Sequence, residues 1–194
     1  MNKNIEMRII DYLFKHLSPN RFDHSYNVAR FAIEIASKNN VSIFKTKIAG
    51  LLHDCAKAMT DNEILSLFKK RKTFKYFNEI SVFSPQLLHS FAGEIIAKKE
   101  FKIQDKDILN AIKYHTFGKK NMGILEKLIF VSDYVSDNRK GKQIIQIRNL
   151  AKKNLNEAFF AVLAKKIEYV IRSGSWLCPQ TIDVWNWYVS KKDN

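Results

Sequence analysis

Apolar residues recur every three or four positions along almost the whole chain, and the alternation that a half-buried strand needs is rare. Such stripes run through 24–37 (Val28, Phe31, Ala32, Ile35), through 45–58 (Ile48, Ala49, Leu52, Ala56) and through 61–70. Others follow Pro85 (Leu88, Ala92, Ile95, Ile96), begin at Asp105 (Ile108, Ala111, Ile112, His115) and fill 123–138 (Leu125, Leu128, Ile129, Ser132, Val135). One long helix is expected near 143–173, stopped by Gly174. Ser18-Pro19-Asn20 reads as a helix start, and Thr60 or Asp61 with Glu63 behind it as a cap. Only 71–84, with its aromatic residues and Ser84-Pro85, reads as irregular. No Gly-, Ser- or Pro-rich linker and no internal repeat divides the sequence. The expectation is an all-α fold, one domain over 1–194, with the motifs in about 20–140 and C-terminal helices in about 143–190.

The net charge of +14, from 33 Lys and Arg against 19 Asp and Glu, invites a nucleic-acid reading. The lysines are scattered at helix ends and loops rather than gathered in a stripe. They therefore read as solvated surface, with attraction of a polyanionic small substrate as a second consequence. Apolar runs fall well short of the roughly 20 residues that cross a bilayer, so no membrane partner is expected. The N-terminal segment lacks the apolar core of a signal peptide, and Cys55 and Cys178 are too few and too far apart for a disulfide framework. A cytoplasmic protein is expected.

Polar residues on the apolar stripes are the exception that carries chemistry. Four of the five histidines, His24, His53, His89 and His115, lie at or beside the apolar face of four separate segments. Asp54 adjoins His53, and apolar residues flank Asp133 on both sides. A single histidine in such a place is ordinarily a satisfied core residue, and Asp133 alone would read as a salt bridge with Arg139 or a lysine. Taken together the six form an H–HD–H–H–D set of imidazoles and carboxylates, which suits iron, manganese, nickel or zinc. A mononuclear site needs only His24, His53, Asp54 and Asp133, so His89 and His115 argue for two ions. His16 lies before any of these segments and reads as surface, and Cys55 reads as packing.

The motifs HSYNVARFA, AGLLHDCAK, LLHSFAG, AIKYHTFG and MGILEKLIFVSDYVSDNR occur in that order, and PQTIDVWN follows near the end. In this the chain resembles the HD-domain metal-dependent phosphohydrolases, and more narrowly the YqeK family of symmetrical diadenosine tetraphosphate hydrolases. Ser132 stands where that family more commonly has alanine. The resemblance implies a helical bundle with two divalent or mixed-valence ions, iron being the family's metal. His24, His53, Asp54 and Asp133 would hold one ion, and Asp54, His89 and His115 the other, with Asp54 bridging. A metal-bridging hydroxide would cleave diadenosine tetraphosphate to two ADP.

Charge along the phosphate chain then needs neutralising, which gives work to Lys57 and Arg139, each of which alone reads equally as solvated surface. Thr116 offers a hydroxyl, Lys113 is a further candidate, and Lys119 and Lys120 add to the field. Phe22, Phe91, Tyr114 and Phe117 are candidates to stack on a base, although aromatic residues at helical spacing are more often core. A homodimer is compatible with this reading, and no specific nucleic acid is expected. The alternatives are another HD phosphohydrolase acting on a mononucleotide, triphosphate or signalling nucleotide, and a basic RNA-binding module with a structural metal.

Overall fold

The computed structural model describes residues 2–69, 74–136 and 140–191. Among these residues there is no strand, as the periodicity demands. The helices are α1 (Asn2–His16), α2 (Pro19–Ala36), α3 (Ile43–Leu52), α4 (Asp61–Ser66), α5 (Phe77–Phe83), α6 (His89–Phe101), α7 (Lys106–Tyr114), α8 (Ile124–Val135), α9 (Lys142–Lys153), α10 (Leu155–Arg172) and α11 (Pro179–Val189). The fold is all-α.

Short polar residues set the boundaries by satisfying N–H groups that a helix start leaves unpaired. Thr60 and Glu63 form a reciprocal capping box at the start of α4, whereas at the start of α2 Ser18 makes no side-chain cap bond and Pro19 supplies a preset helical φ. Asp105 accepts from the amides of Asp107 and Ile108 to open α7.

Several segments depart from the expected pattern, and the helix expected over 61–70 ends at Ser66. The stretch expected as one helix near 143–173 is two. Asn154 takes an extended backbone (φ −146°, ψ 100°) and accepts from the amides of Asn156 and Glu157, ending α9 and opening α10. The segment 45–58 is helical only as far as Leu52, and tight turns carry residues 53–58. The stretch expected to be irregular contains α5, preceded by Tyr76 in the left-handed region (φ 68°).

Two apolar clusters form the interior. The first joins Ile9 and Leu13 of α1 to Leu52 of α3, Ile95 of α6 and Ile112 of α7. The second joins Val131 and Phe130 of α8 to Ile147 of α9, Phe159 and Leu163 of α10 and Val184 of α11. Helices α2 and α8 serve both. Ala29 and Ala32 face the first cluster and Phe31 and Ile35 the second, as do Leu125 and Ile129 against Leu128 and Val135. Each fully buried large side chain contributes about 1.5–3 kcal/mol. At Gly50 of α3 a Cβ would lie 2.6 Å from the Cα of Ala29, so only glycine lets α2 and α3 come this close.

Candidate metal centre

The four histidines and two aspartates converge where these helices meet. His24 lies within α2, His89 opens α6, and His53 and His115 are the residues that follow α3 and α7. Three of the four therefore sit at helix ends. There the last or first turn leaves carbonyls and rings close to one another, and each ring is tethered by its own backbone. Nδ1 donates to the carbonyl three residues earlier, Gly50 for His53 (2.7 Å), Gln86 for His89 (2.8 Å) and Ile112 for His115 (2.7 Å).

Those tethers decide the tautomer. A carbonyl can only accept, so each Nδ1 carries the proton, and in the neutral ring Nε2 presents a lone pair. Burial lowers the pKa of His53 to about 4, and burial likewise lowers that of His115, so both rings are neutral at physiological pH. Nε2 of His89 nevertheless lies 3.1 Å from Nε2 of His115, and Nε2 of His53 lies 3.3 Å from Nε2 of His24. The facing lone pairs of His89 and His115 repel unless a cation lies between them, whereas Nε2 of His24 also stands 3.2 Å from Oδ1 of Asp133 and can donate there. Two nitrogens bound to one ion at roughly 2.0–2.1 Å stand about 3.0–3.4 Å apart, which is the spacing found.

Asp54 joins the two pairs. Its Oδ1 is 3.1 Å from Nε2 of His89 and 3.5 Å from Nε2 of His115, while Oδ2 is 3.8 Å from Nε2 of His53 and 4.0 Å from Nε2 of His24. Two groups suited to holding a metal ion result, His24–His53–Asp54 and Asp54–His89–His115, all buried and sharing one carboxylate. Burial opposes ionisation of Asp54, yet its carboxyl stays well below the usual range. Neutral nitrogen donors tied by second hydrogen bonds, with an ionised bridging oxygen pair, match what a borderline divalent ion requires. The donor set fits a metal.

Asp133 of α8 stands at the rim. Its Oδ1 is 3.2 Å from Nε2 of His24, and its Oδ2 is 3.3 Å from Nζ of Lys166 in α10. The salt bridge weighed for Asp133 from the sequence alone is thus present, with a lysine, on one oxygen only. Burial opposes its charge, yet Lys166 and His24 keep its carboxyl well below the usual range.

Beside the cluster opens a cavity of about 650 Å³ whose lining includes Lys57, Thr116, Asp133 and Lys166. Nζ of Lys57 is 3.2 Å from Nδ1 of His89. With that nitrogen donating to Gln86 both groups are donors, so this is proximity and not a hydrogen bond. Burial lowers the pKa of Lys57, and Asp54 opposes the shift. Oγ1 of Thr116 is 3.2 Å from Nε2 of His115.

Other expectations fall elsewhere. Lys113 is not among the residues lining this cavity. Its ammonium is 3.6 Å from Glu94 and faces the rings of Phe91 and Tyr114. Lys119 pairs with Glu126 at 2.9 Å. Arg139 lies outside the described residues. Of the four aromatic candidates only Phe117 lines the cavity; Phe22 packs edge-on to Phe14, and Phe91 stacks on Phe74 at 3.9 Å with Tyr114 at its edge. Tyr134, Tyr169 and Trp176 line the cavity and were missed, as were two basic residues at the cluster. One is Lys166. The other is Arg21, whose Nη1 is 3.1 Å from Oδ2 of Asp54. Its position three residues before His24, nearly one helical turn, was the available signal. Cys55 packs with its sulfur 3.8 Å from the carbonyl of Gly93, and His16 stacks on Tyr12 at the surface.

An all-α bundle whose buried histidines and adjacent His–Asp pair meet between helices defines a class, and comparison with known proteins gives the same one. The model of the HD domain family matches residues 21–138, and the chain belongs to that family. Its relatives narrow the class. The chain is 30% identical over 186 residues to the bis(5'-nucleosyl)-tetraphosphatase, symmetrical, of Halalkalibacterium halodurans, covering 96% of each. It is 31% identical to the protein of the same description from Bacillus subtilis, over 91% of this chain and 93% of the relative. In structure it is similar to a Clostridium acetobutylicum protein described as a predicted HD superfamily hydrolase involved in NAD metabolism. That protein is 36% identical, with a TM-score of 0.87 and coverage of 95% of this chain and 96% of the other.

Proposed function

We propose that this protein is a symmetrical bis(5'-nucleosyl)-tetraphosphatase that hydrolyses diadenosine tetraphosphate to two ADP at the His–Asp cluster. The observation that carries the reading is Asp54, whose two oxygens each face a different pair of imidazole nitrogens. The relatives that are symmetrical tetraphosphatases match nearly the full chain and support the substrate. His24, His53, Asp54 and Asp133 would hold one ion and Asp54, His89 and His115 the second. Iron is the proposed metal, with manganese, nickel and zinc within reach of the same donors. Two ions bound there supply a nucleophile at neutral pH and positive charge against the phosphoryl oxygens.

The chain's own residues do the rest. Lys57 faces the phosphate chain from the cavity wall and balances charge that grows on the leaving ADP. Thr116 donates its hydroxyl to a phosphate oxygen. Tyr134, Tyr169 and Trp176 give the nucleoside an aromatic wall. ADP leaves as a stabilised anion, so neutralising charge matters more than a strong general acid. The chain works as one domain, and no helix among the described residues is long and apolar enough to cross a membrane. Two buried, unpaired cysteines suit the reducing cytoplasm.

The test is a nucleotide panel, including NAD and mononucleotides, with chromatography of the products. Diadenosine tetraphosphate should be preferred and give ADP alone. AMP with ATP, or no cleavage beside brisk turnover of another nucleotide, contradicts the reading.

A further inference from the structure

Helix α10 supplies none of the six His and Asp residues of the cluster, yet Lys166 reaches into it from that helix. Its Nζ is 3.0 Å from the carbonyl oxygen of His115 and 3.3 Å from Oδ2 of Asp133, and it stands 4.1 Å from the centre of the Phe130 ring. A simple surface ion pair would account for the carboxylate contact alone. The second contact goes to the backbone of a residue in the other metal-binding group, and the ring face holds the ammonium against both.

We infer that Lys166 is a positioning residue for both halves of the metal centre. By engaging Oδ2 it leaves Oδ1 of Asp133 as one oriented donor beside His24. By engaging the His115 carbonyl it fixes the backbone that carries that ring at the end of α7. This rests on the reading that Asp133 and His115 bind metal. Ligands held by such outer contacts save the orientational freedom that free ones would lose on binding.

The positive charge also opposes a neighbouring cation, so the sign of the effect is diagnostic. Lys166→Met keeps most of the stem over Phe130 and removes the ammonium. Binding of Mn2+ to the chelator-stripped full chain is followed through the free-ion electron paramagnetic resonance signal. Lys166→Met should weaken Mn2+ binding by about 10–100-fold, the usual cost of losing an outer-shell partner. Lys166→Arg should restore much of it, and kcat for diadenosine tetraphosphate in Lys166→Met should fall with KM within about threefold. The melting temperature of stripped Lys166→Met serves as the folding control, and Lys166→Arg is the second variant if Lys166→Met does not fold. Unchanged or tighter Mn2+ binding in Lys166→Met, or a raised KM with metal binding intact, overturns the inference. If the unsubstituted protein fails to take up two Mn2+ per chain, the reading beneath it fails instead, a result distinct from any change confined to the variant.

Discussion

Asp54 presents one oxygen to His89 and His115 and the other to Arg21, His24 and His53, so a change at this residue is felt by both groups. Asp54→Ala should lower turnover by about 10²–10³-fold or more and reduce bound metal from two ions to at most one, read by kinetics and elemental analysis. Near-normal activity would remove the bridging role. Lys57 touches the cavity and not the carboxylates, so Lys57→Ala should cost about 10²-fold in kcat/KM with metal content unchanged. Lost metal there would show that its role is structural. At this scale the sequence was most legible where it broke its own pattern. A histidine or aspartate on an apolar stripe stands out because burying it requires a partner. Arg21 and Lys166 did not stand out, because a basic residue on a helix ordinarily faces water, and only the fold shows that these two reach the cluster.

Between elements, the approach of α2 to α3 sets the distance from His24 to His53. Gly50 has no room for a Cβ, since Ala29 lies at 2.6 Å, and Gly50→Ala would push the two helices apart. The expected cost is about 1–3 kcal/mol in urea unfolding, accompanied by weaker metal loading, because the ring pair opens. Full stability with full loading would show that the contact relaxes elsewhere. Helix starts were legible in the sequence from Thr60 with Glu63 and from Asp105, since caps act on neighbouring amides alone, and from Pro19 at α2, whose ring presets a helical φ. The break at Asn154 was not, because Leu150, Leu155 and Phe159 continue an apolar stripe across it and nothing local excludes one long helix. The placement of His53 and His115 just past helix ends was hidden for the same reason, as the apolar spacing runs on through both.

For the whole molecule, the buried cluster links protonation to stability. In chelator-treated protein His53 has a pKa of about 4 against about 6.5 when unfolded, and burial is the cause. Between those values the unfolded chain binds the extra proton and the native chain does not. Stability from this group is therefore present above about pH 6.5 and is lost as pH falls toward 4, by roughly 3 kcal/mol in full. Urea midpoints at pH 7 and pH 4.5 check this; a flat or rising stability on acidification would contradict it. The all-α architecture was legible at this scale because one period dominates the sequence. The cavity with Tyr134, Tyr169 and Trp176 was not, since it gathers residues from α8, α10 and the segment before α11 that no local pattern connects.

The proposed function rests on two metal ions sharing Asp54. Elemental analysis of protein purified without added metal, scored as ions per chain, tests this most directly. Two ions per chain are expected, and a single ion, or none, would rule out a shared Asp54.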